Sequence, residues 1–390
     1  GVSSSLSKAS FCLLRPMIRR RRHSRRRRVR TRLLLWCWLA TTTQTTTFRW
    51  RARSIGAATN ATRACDDLTK TLERRSFWPA LRAALARAET PAVMVFTNGA
   101  HYRLVLNFLC GVDEGVRRHV VVWCADAVAF RNVRRDFPDV AALDLVLGDS
   151  SEDAPFKEAR YARFAAVKAL MPFSAAKLGF AALTQDADLV WRRNDVLAYL
   201  RRYDAAVMAD SNRVDVAARP CRKKEADAIS KYVTRWRSEQ SCAAYRCVAS
   251  VNGGFVYANA SQAFVRALED WWLRCPEIVD SRENQPSFSA ALRAAIAPGR
   301  CAYGNGTGMV VLDVAHFASG QRPRVARESD ARGTLYAFHC NFRFGWRDKC
   351  TTLRKLDMLH IALPSGLDVC KAPSSDGDAP RCVSLMRRRR

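Results

Sequence analysis

The stretch Leu183-Thr184-Gln185-Asp186-Ala187-Asp188-Leu189-Val190-Trp191 is where residue type and spacing come closest to chemistry. Asp186 and Asp188 stand two apart at the end of the apolar run 180–184, so a strand ending there brings two carboxylates together. Two hard oxygen donors suit Mg²⁺ or Mn²⁺, which commonly takes one or two protein carboxylates and fills its remaining positions with water or phosphate oxygens. The plainer alternative is a strand-to-loop turn carrying two solvated acids. A bare Asp-x-Asp is common, so the surroundings must decide.

The elements that position this pair can be read from periodicity. Short apolar runs at 93–97, 119–123, 143–147, 180–184, 205–209, 253–257, 309–312 and 334–339 predict strands. Helical spacing covers 66–89, 101–110, 156–178 with a bend expected at Pro172, 194–203, 261–274 and 285–296; the segment 351–361 completes the alternation. Fully apolar strands alternating with helices predict an α/β fold, a Rossmann-type mostly parallel sheet with helices on both faces. Ligands of such sheets gather at the carboxyl ends of the strands, where Asp186, Asp188, Thr97 and Asn98 all fall. Asn98-Gly99 is equally a plain turn pair. Trp191, Trp271 and Trp272 are expected in the core. Residues 210–250 show no clear strand and look like an inserted excursion.

The 390 residues carry 65 Lys and Arg against 36 Asp and Glu, a formal charge of +29, but the excess is concentrated at the ends. Residues 1–64 hold 16 basic residues and no acid, and the chain closes on four arginines. The tract 19–32, with ten arginines, repels itself into an extended form. No aromatic interleaving, Cys/His finger or helix-turn-helix pattern accompanies it, which argues against nucleic acid as the partner. The uncharged window 33–48 spans 16 residues, short of the roughly 20 that a spanning helix wants. No run of 18 apolar residues exists, which excludes a polytopic membrane protein. We expect a single signal anchor and a Golgi or secretory location; the opposing reading is a transit peptide, since the same region is rich in Ser and Arg. Sequons at Asn60, Asn259 and Asn305 lean toward the secretory route. So do fourteen cysteines without a single C-x-x-C pair. Disulfides are expected, for example Cys370 with Cys382; the plainer alternative is that several cysteines, such as Cys110 and Cys124 in apolar runs, are simply buried small hydrophobes.

Two families resemble the acid-pair segment. Asp-x-Asp-x-Val is similar to the first motif of haloacid-dehalogenase-type phosphatases, in which the first Asp attacks phosphorus. That family carries the motif on its first strand and needs a later acidic pair; here three strands are expected before it, and no such pair follows. The wider run Lys168, Gly179-Phe180, then Asp186-Ala187-Asp188-Leu189-Val190-Trp191 resembles the nucleotide-diphospho-sugar transferase domain of plant cell-wall glycosyltransferases of family 77. Asn252-Gly253-Gly254-Phe255 looks like that family's N-G-G-F segment, and Asn284-Gln285-Pro286-Ser287-Phe288 like its D-Q-x-x-F segment, with Asn284 in place of Asp. Leu312, Phe317 and Gly320 fall on an L…F..G pattern. His339, Asn341, Gly345 and Lys349 resemble its closing H-x-N…G…K motif. The blocks occur in family order and cover roughly residues 90–365.

The resemblance implies a GT-A-type fold and a sugar moved from a nucleotide-diphosphate donor, expected to be UDP-linked, to a glycan or glycoprotein acceptor. It implies Mn²⁺ or Mg²⁺ held by Asp186, Asp188 and His339, with Lys349 meeting the β-phosphate. Thr97 and Asn98 would lie by base and ribose, Lys168 and the Gly253-Gly254 backbone by the donor, Asn252 by sugar hydroxyls, and Gln285 beside the anomeric carbon. Such families retain anomeric configuration, and with no carboxylate placed for a double displacement, front-face attack is expected. The implied organisation is a basic tail over 1–64, a leading helix over 65–89, the transferase domain over 90–365 and a C-terminal tail over 366–390. A phosphohydrolase using Asp186, or a non-catalytic basic binding protein, are the competing readings.

Overall fold

The computed structural model describes residues 60–74, 76–145, 147, 159–209, 251–260, 262–295, 301–303, 309–343, 345–371 and 380–383. The arginine tract, the window 33–48 and the excursion 210–250, with Cys242 and Cys247, lie outside the described residues, as does Asn305.

The central sheet has eight strands in the order β3-β2-β1-β4-β7-β6-β9-β8. These are β1 Ala92–Thr97, β2 Val120–Cys124, β3 Ala141–Asp144, β4 Ala182–Gln185, β6 Ala205–Ala209, β7 Val251–Ala258, β8 Cys301–Tyr303 and β9 Met309–Leu312. All neighbouring pairs are parallel except those of β7, which runs antiparallel to β4 and β6. The α/β expectation is met, and most strands fall within one or two residues of the apolar runs. Their β-branched residues are buried on both faces, as a covered parallel sheet requires. Val93, Val95, Val120 and Val122 face one core that includes Val105, Leu106 and Leu109 of helix Tyr102–Gly111. On the other face Phe96 packs edge-on to Phe164 of helix Ala159–Lys177, and Trp123 edge-on to Phe77 of helix Phe77–Arg87. Trp191, Trp271 and Trp272 are buried as expected.

A second sheet, β10-β11-β5, sits where the chain leaves the acid pair. It consists of β5 Leu189–Trp191, β10 Phe317–Ser319 and β11 Ala337–His339. β11 pairs antiparallel with β5, placing His339 opposite Leu189, and parallel with β10, placing His339 opposite Ser319.

Three expectations are corrected. The single helix predicted over 66–89 is two, Asn60–Glu73 and Phe77–Arg87. Pro79 explains the break: in a continuous helix its ring would strike the carbonyl four residues back and its nitrogen could not donate, whereas in a first turn neither cost arises. The segment predicted from 351 begins at Gly345 and ends at Lys355, so Lys349 rides on it. Cys370 pairs with Cys350, not Cys382. Cys382 reaches across the fold to Cys110, which is therefore no mere buried hydrophobe, and Cys65 bonds Cys275. Cys124 is free and buried, matching the plainer alternative. The Cys110–Cys382 bond fastens β13 Arg381–Cys382, which pairs with β12 Ile361–Ala362, to helix Tyr102–Gly111.

Candidate active site

Asp186 and Asp188 are the first and last residues of the three-residue step from β4 into β5, where the chain passes from one sheet to the other. The Asp186 N–H donates to the Gly254 carbonyl of β7 at 2.8 Å, and the Asp188 carbonyl accepts from the Cys340 N–H at 3.1 Å. The first bond ties the pair to the central sheet, the second to the small one. His339, at the end of β11, brings Nε2 to 3.3 Å from both Asp186 Oδ2 and Asp188 Oδ1. The other oxygen of each acid meets a lysine: Lys168 Nζ lies 2.6 Å from Asp186 Oδ1, and Lys349 Nζ lies 2.7 Å from Asp188 Oδ2. Asp188 and His339 are only 5% and 2% exposed, so these charges act through little water.

Burial alone would push both carboxyl groups up, but their partners win. Against that penalty, Lys168 and His339 draw Asp186 down to about 2. Lys349 and His339 hold Asp188 well below the usual carboxylate range. Burial would lower the His339 imidazole, yet the facing acids raise it to about 9. Both lysines are likewise raised by the acids they face despite burial. Two anions thus face one shared cationic imidazole, with a lysine behind each.

This donor set fits a divalent cation. One ligand atom from each of Asp186, Asp188 and His339 lies within 4.8 Å of the others. Two hard oxygens and one imidazole nitrogen suit Mn²⁺ or Mg²⁺, and the free form already concentrates positive charge between the acids. The cradle is tight on the β7 side. A Cβ on Gly254 would strike Asp186 Oδ2 and His339 Cε1 well inside van der Waals contact. Glycine there lets the strand approach the pair.

The other residues singled out by sequence lie around this centre at differing removes. Gly253 abuts the side chain of Asn284: a Cβ there would stand 3.4 Å from Asn284 Nδ2. Asn252 Oδ1 accepts the Gly254 N–H at 2.7 Å, bracing β7 where its register against β6 shifts. Asn252 therefore shapes the approach of Gly254 at this irregularity in the β6–β7 pairing. Gln285 opens helix Gln285–Ala295 directly after Asn284. Thr97 and Asn98 close β1, the neighbour of β4, with Val95 opposite Gln185. Both are 1% exposed, and Asn98 Oδ1 accepts the His101 N–H at 3.0 Å, so it shapes the turn into helix Tyr102–Gly111.

One contributor, Asp126, escaped the sequence reading, and a second, the contact between Asn341 and Gly320, joins two motifs that the sequence showed apart. Asp126 accepts the Gly99 N–H at 2.9 Å and the Ala129 N–H at 2.8 Å, joining the β1 turn to the start of helix Ala127–Asp136. An acid immediately before a helix was its available signal. Asn341 Oδ1 accepts the Gly320 N–H at 2.8 Å, and a Cβ on Gly320 would collide with the Asn341 carbonyl. The L…F..G and H-x-N patterns are thus two halves of one contact.

A model of the nucleotide-diphospho-sugar transferase family matches residues 115–353. No curated protein matches the sequence significantly. Among solved structures, the chain is similar to the apo bifunctional glycosyltransferase WbbM at 8% identity and a TM-score of 0.39, over 68% of this chain and 49% of that one. This chain thus spans about half of that protein's length. It is similar to apo mouse xyloside xylosyltransferase 1 at 12% identity and a TM-score of 0.34, over 64% of this chain and 97% of that one. It is similar to the galactosyltransferase LgtC in complex with donor and acceptor sugar analogues at 12% identity and a TM-score of 0.39, over 68% and 94%.

Proposed function

We infer that this chain, which belongs to the nucleotide-diphospho-sugar transferase family, transfers a sugar from a UDP-linked donor to a glycan or glycoprotein acceptor with retention of anomeric configuration. The observation that carries this reading is the convergence of Asp186, Asp188 and His339 between two lysines. Those three residues would hold Mn²⁺ or Mg²⁺, which when bound supplies positive charge to a departing diphosphate.

The chain's own groups do the rest. Lys349 would offer its ammonium to the β-phosphate as a compact point charge, and Lys168 would stay on Asp186 and keep that carboxylate ionised. The backbone at Gly253 and Gly254 would lie along the donor sugar, with Asn252 turned to its hydroxyls. Gln285 would stand beside the anomeric carbon, and Thr97 and Asn98 near base and ribose. The bond from the anomeric carbon to the diphosphate breaks, the acceptor hydroxyl forms the new glycosidic bond, and the leaving diphosphate takes the hydroxyl proton. The carboxylates of the cluster are Asp186 and Asp188, each engaged by a lysine and the imidazole. Front-face attack needs no third carboxylate. For the same reason no observation favours Asp186 as a phosphatase nucleophile.

Three disulfides among the described residues support an oxidising compartment, and with it the Golgi or secretory location. No helix among the described residues is long and apolar enough to cross a membrane, and the proposed anchor at 33–48 lies outside them. We place the transferase domain at 90–365. Release of UDP from a panel of UDP-sugars with Mn²⁺, read with proton NMR of product stereochemistry, tests the reading. Retained configuration supports it, and inverted product removes the front-face route.

A further inference from the structure

We propose that Ser319 is the positioning residue of this site: its hydroxyl accepts the Nδ1 proton of His339 and so aims Nε2 at Asp186 and Asp188. The proposal rests on the metal-site reading above. Ser319 ends β10 directly opposite His339 in the parallel β10–β11 pair. Register partners project to the same face of a sheet, one strand spacing of about 4.8 Å apart. Both residues are 2% exposed. Ser319 Oγ and His339 Nδ1 are each buried without a hydrogen-bond partner, and so is Asn341 Nδ2 nearby.

Buried polar groups are nearly always paired, so two orphans on adjacent rows of one sheet face point to a shared bond. The chemistry selects the direction. An imidazole that ligates through Nε2 carries its proton on Nδ1, and metal-bound histidines almost always donate that proton to a neighbour. Asn341 is the poorer acceptor: its Nδ2 only donates, and its Oδ1 is turned to the Gly320 N–H, whereas Ser319 stands opposite His339 in the strand pair. The Ser319 hydroxyl can accept. The hydroxyl would turn about its χ1 to meet the imidazole. Nothing in the sequence marks this serine; only strand pairing brings it beside the imidazole.

The test is calorimetric titration of Mn²⁺ into the full chain, its Ser319→Ala variant and its Ser319→Thr variant, beside thermal unfolding of each metal-free protein. Ser319→Ala is expected to weaken Mn²⁺ binding about 10- to 100-fold, the usual cost of losing a partner behind a ligand. Because the cationic metal-free imidazole also carries an Nδ1 proton, the metal-free melting temperature of Ser319→Ala should fall modestly, the gap to the parent should widen with Mn²⁺ present, and Ser319→Thr should restore affinity. In the Mg²⁺-loaded parent, nitrogen-15 and proton spectra should show the His339 Nδ1–H hydrogen-bonded and slow to exchange, and in Ser319→Ala the same Nδ1–H tautomer with that bond lost and exchange faster. Ser319→Ala affinity within twofold of the parent overturns the proposal, as does a loss that the metal-free melting temperature fully tracks. A parent that binds neither Mn²⁺ nor Mg²⁺ takes down the metal site and this proposal together, whereas parental binding with unchanged Ser319→Ala sinks only the serine.

Discussion

Lys349 Nζ lies 2.7 Å from Asp188 Oδ2, an ion pair closed across 161 residues of sequence. The lysine assigned to a donor phosphate is thus, in the free protein, the main counter-charge of a buried acid. In the proposed function, ligand binding would exchange one partner for another, leaving no charge bare at either stage.

Replacing Lys349 by Gln should show both roles. An acceptor left without its cationic partner in a buried site costs about 1–3 kcal/mol or more. The urea midpoint of the metal-free variant should fall, and saturating Mn²⁺ should recover much of it. The KM for donor should rise. A variant as stable as the parent in chelator would contradict the pairing.

The imidazole sets a pH window. His339 is raised from 6.5 to about 9, so its contribution to metal-free stability is whole below 6.5 and disappears as pH climbs through 9. Asp186 is lowered from 3.8 to about 2, so its contribution is whole above 3.8 and disappears as pH falls through 2. Denaturant midpoints in chelator should therefore decline between pH 6.5 and 9. Over that range Mn²⁺ affinity should rise, because ligation displaces the Nε2 proton. A midpoint that stays level, with affinity independent of pH, would refute the shared-imidazole geometry.

Neighbouring glycines should respond differently. Gly254→Ala drives a methyl into Asp186 and His339, an overpacking worth about 1–3 kcal/mol that also parts the ligands. It should abolish Mn²⁺ binding. Gly253→Ala meets Asn284 at ordinary contact distance and should keep Mn²⁺ while altering donor KM. Equal metal affinity in the two variants would count against the close approach of β7.

The Cys350–Cys370 bond begins one residue after Lys349 and closes a separation of 20 residues. Loops of this size stabilise by about 3 kcal/mol through the unfolded state. The double variant Cys350→Ala, Cys370→Ala should lose about that much in guanidinium unfolding. An unchanged midpoint would argue that the bond does not form.

Much of this arrangement was legible because it is local. Strands 92–97 and 120–124 announce themselves by unbroken apolar runs, and the acid pair stands at a strand end whatever the tertiary fold. His339 was found only because its motif neighbours Asn341 and Lys349 came with it. What stayed hidden depends on partners far along the chain. Cysteine spacing carries no pairing, so Cys110 and Cys382 could not be matched in advance. Asn98 and Asn252 read as ligand contacts because their types suit sugars and nucleotides, yet each has an oxygen committed to a backbone N–H. Ser319 has no sequence signal at all.

On the proposed function, Asp186, Asp188 and His339 together bind one divalent cation. Titration of Mn²⁺ followed by electron paramagnetic resonance, on the parent and on Asp186→Asn, Asp188→Asn and His339→Gln, tests it most directly. One Mn²⁺ should bind per parent chain, and each variant should lose more than the roughly 10- to 100-fold that a mere outer partner costs. Parental affinity in any of the three variants, or a parent that leaves all Mn²⁺ free, would contradict it.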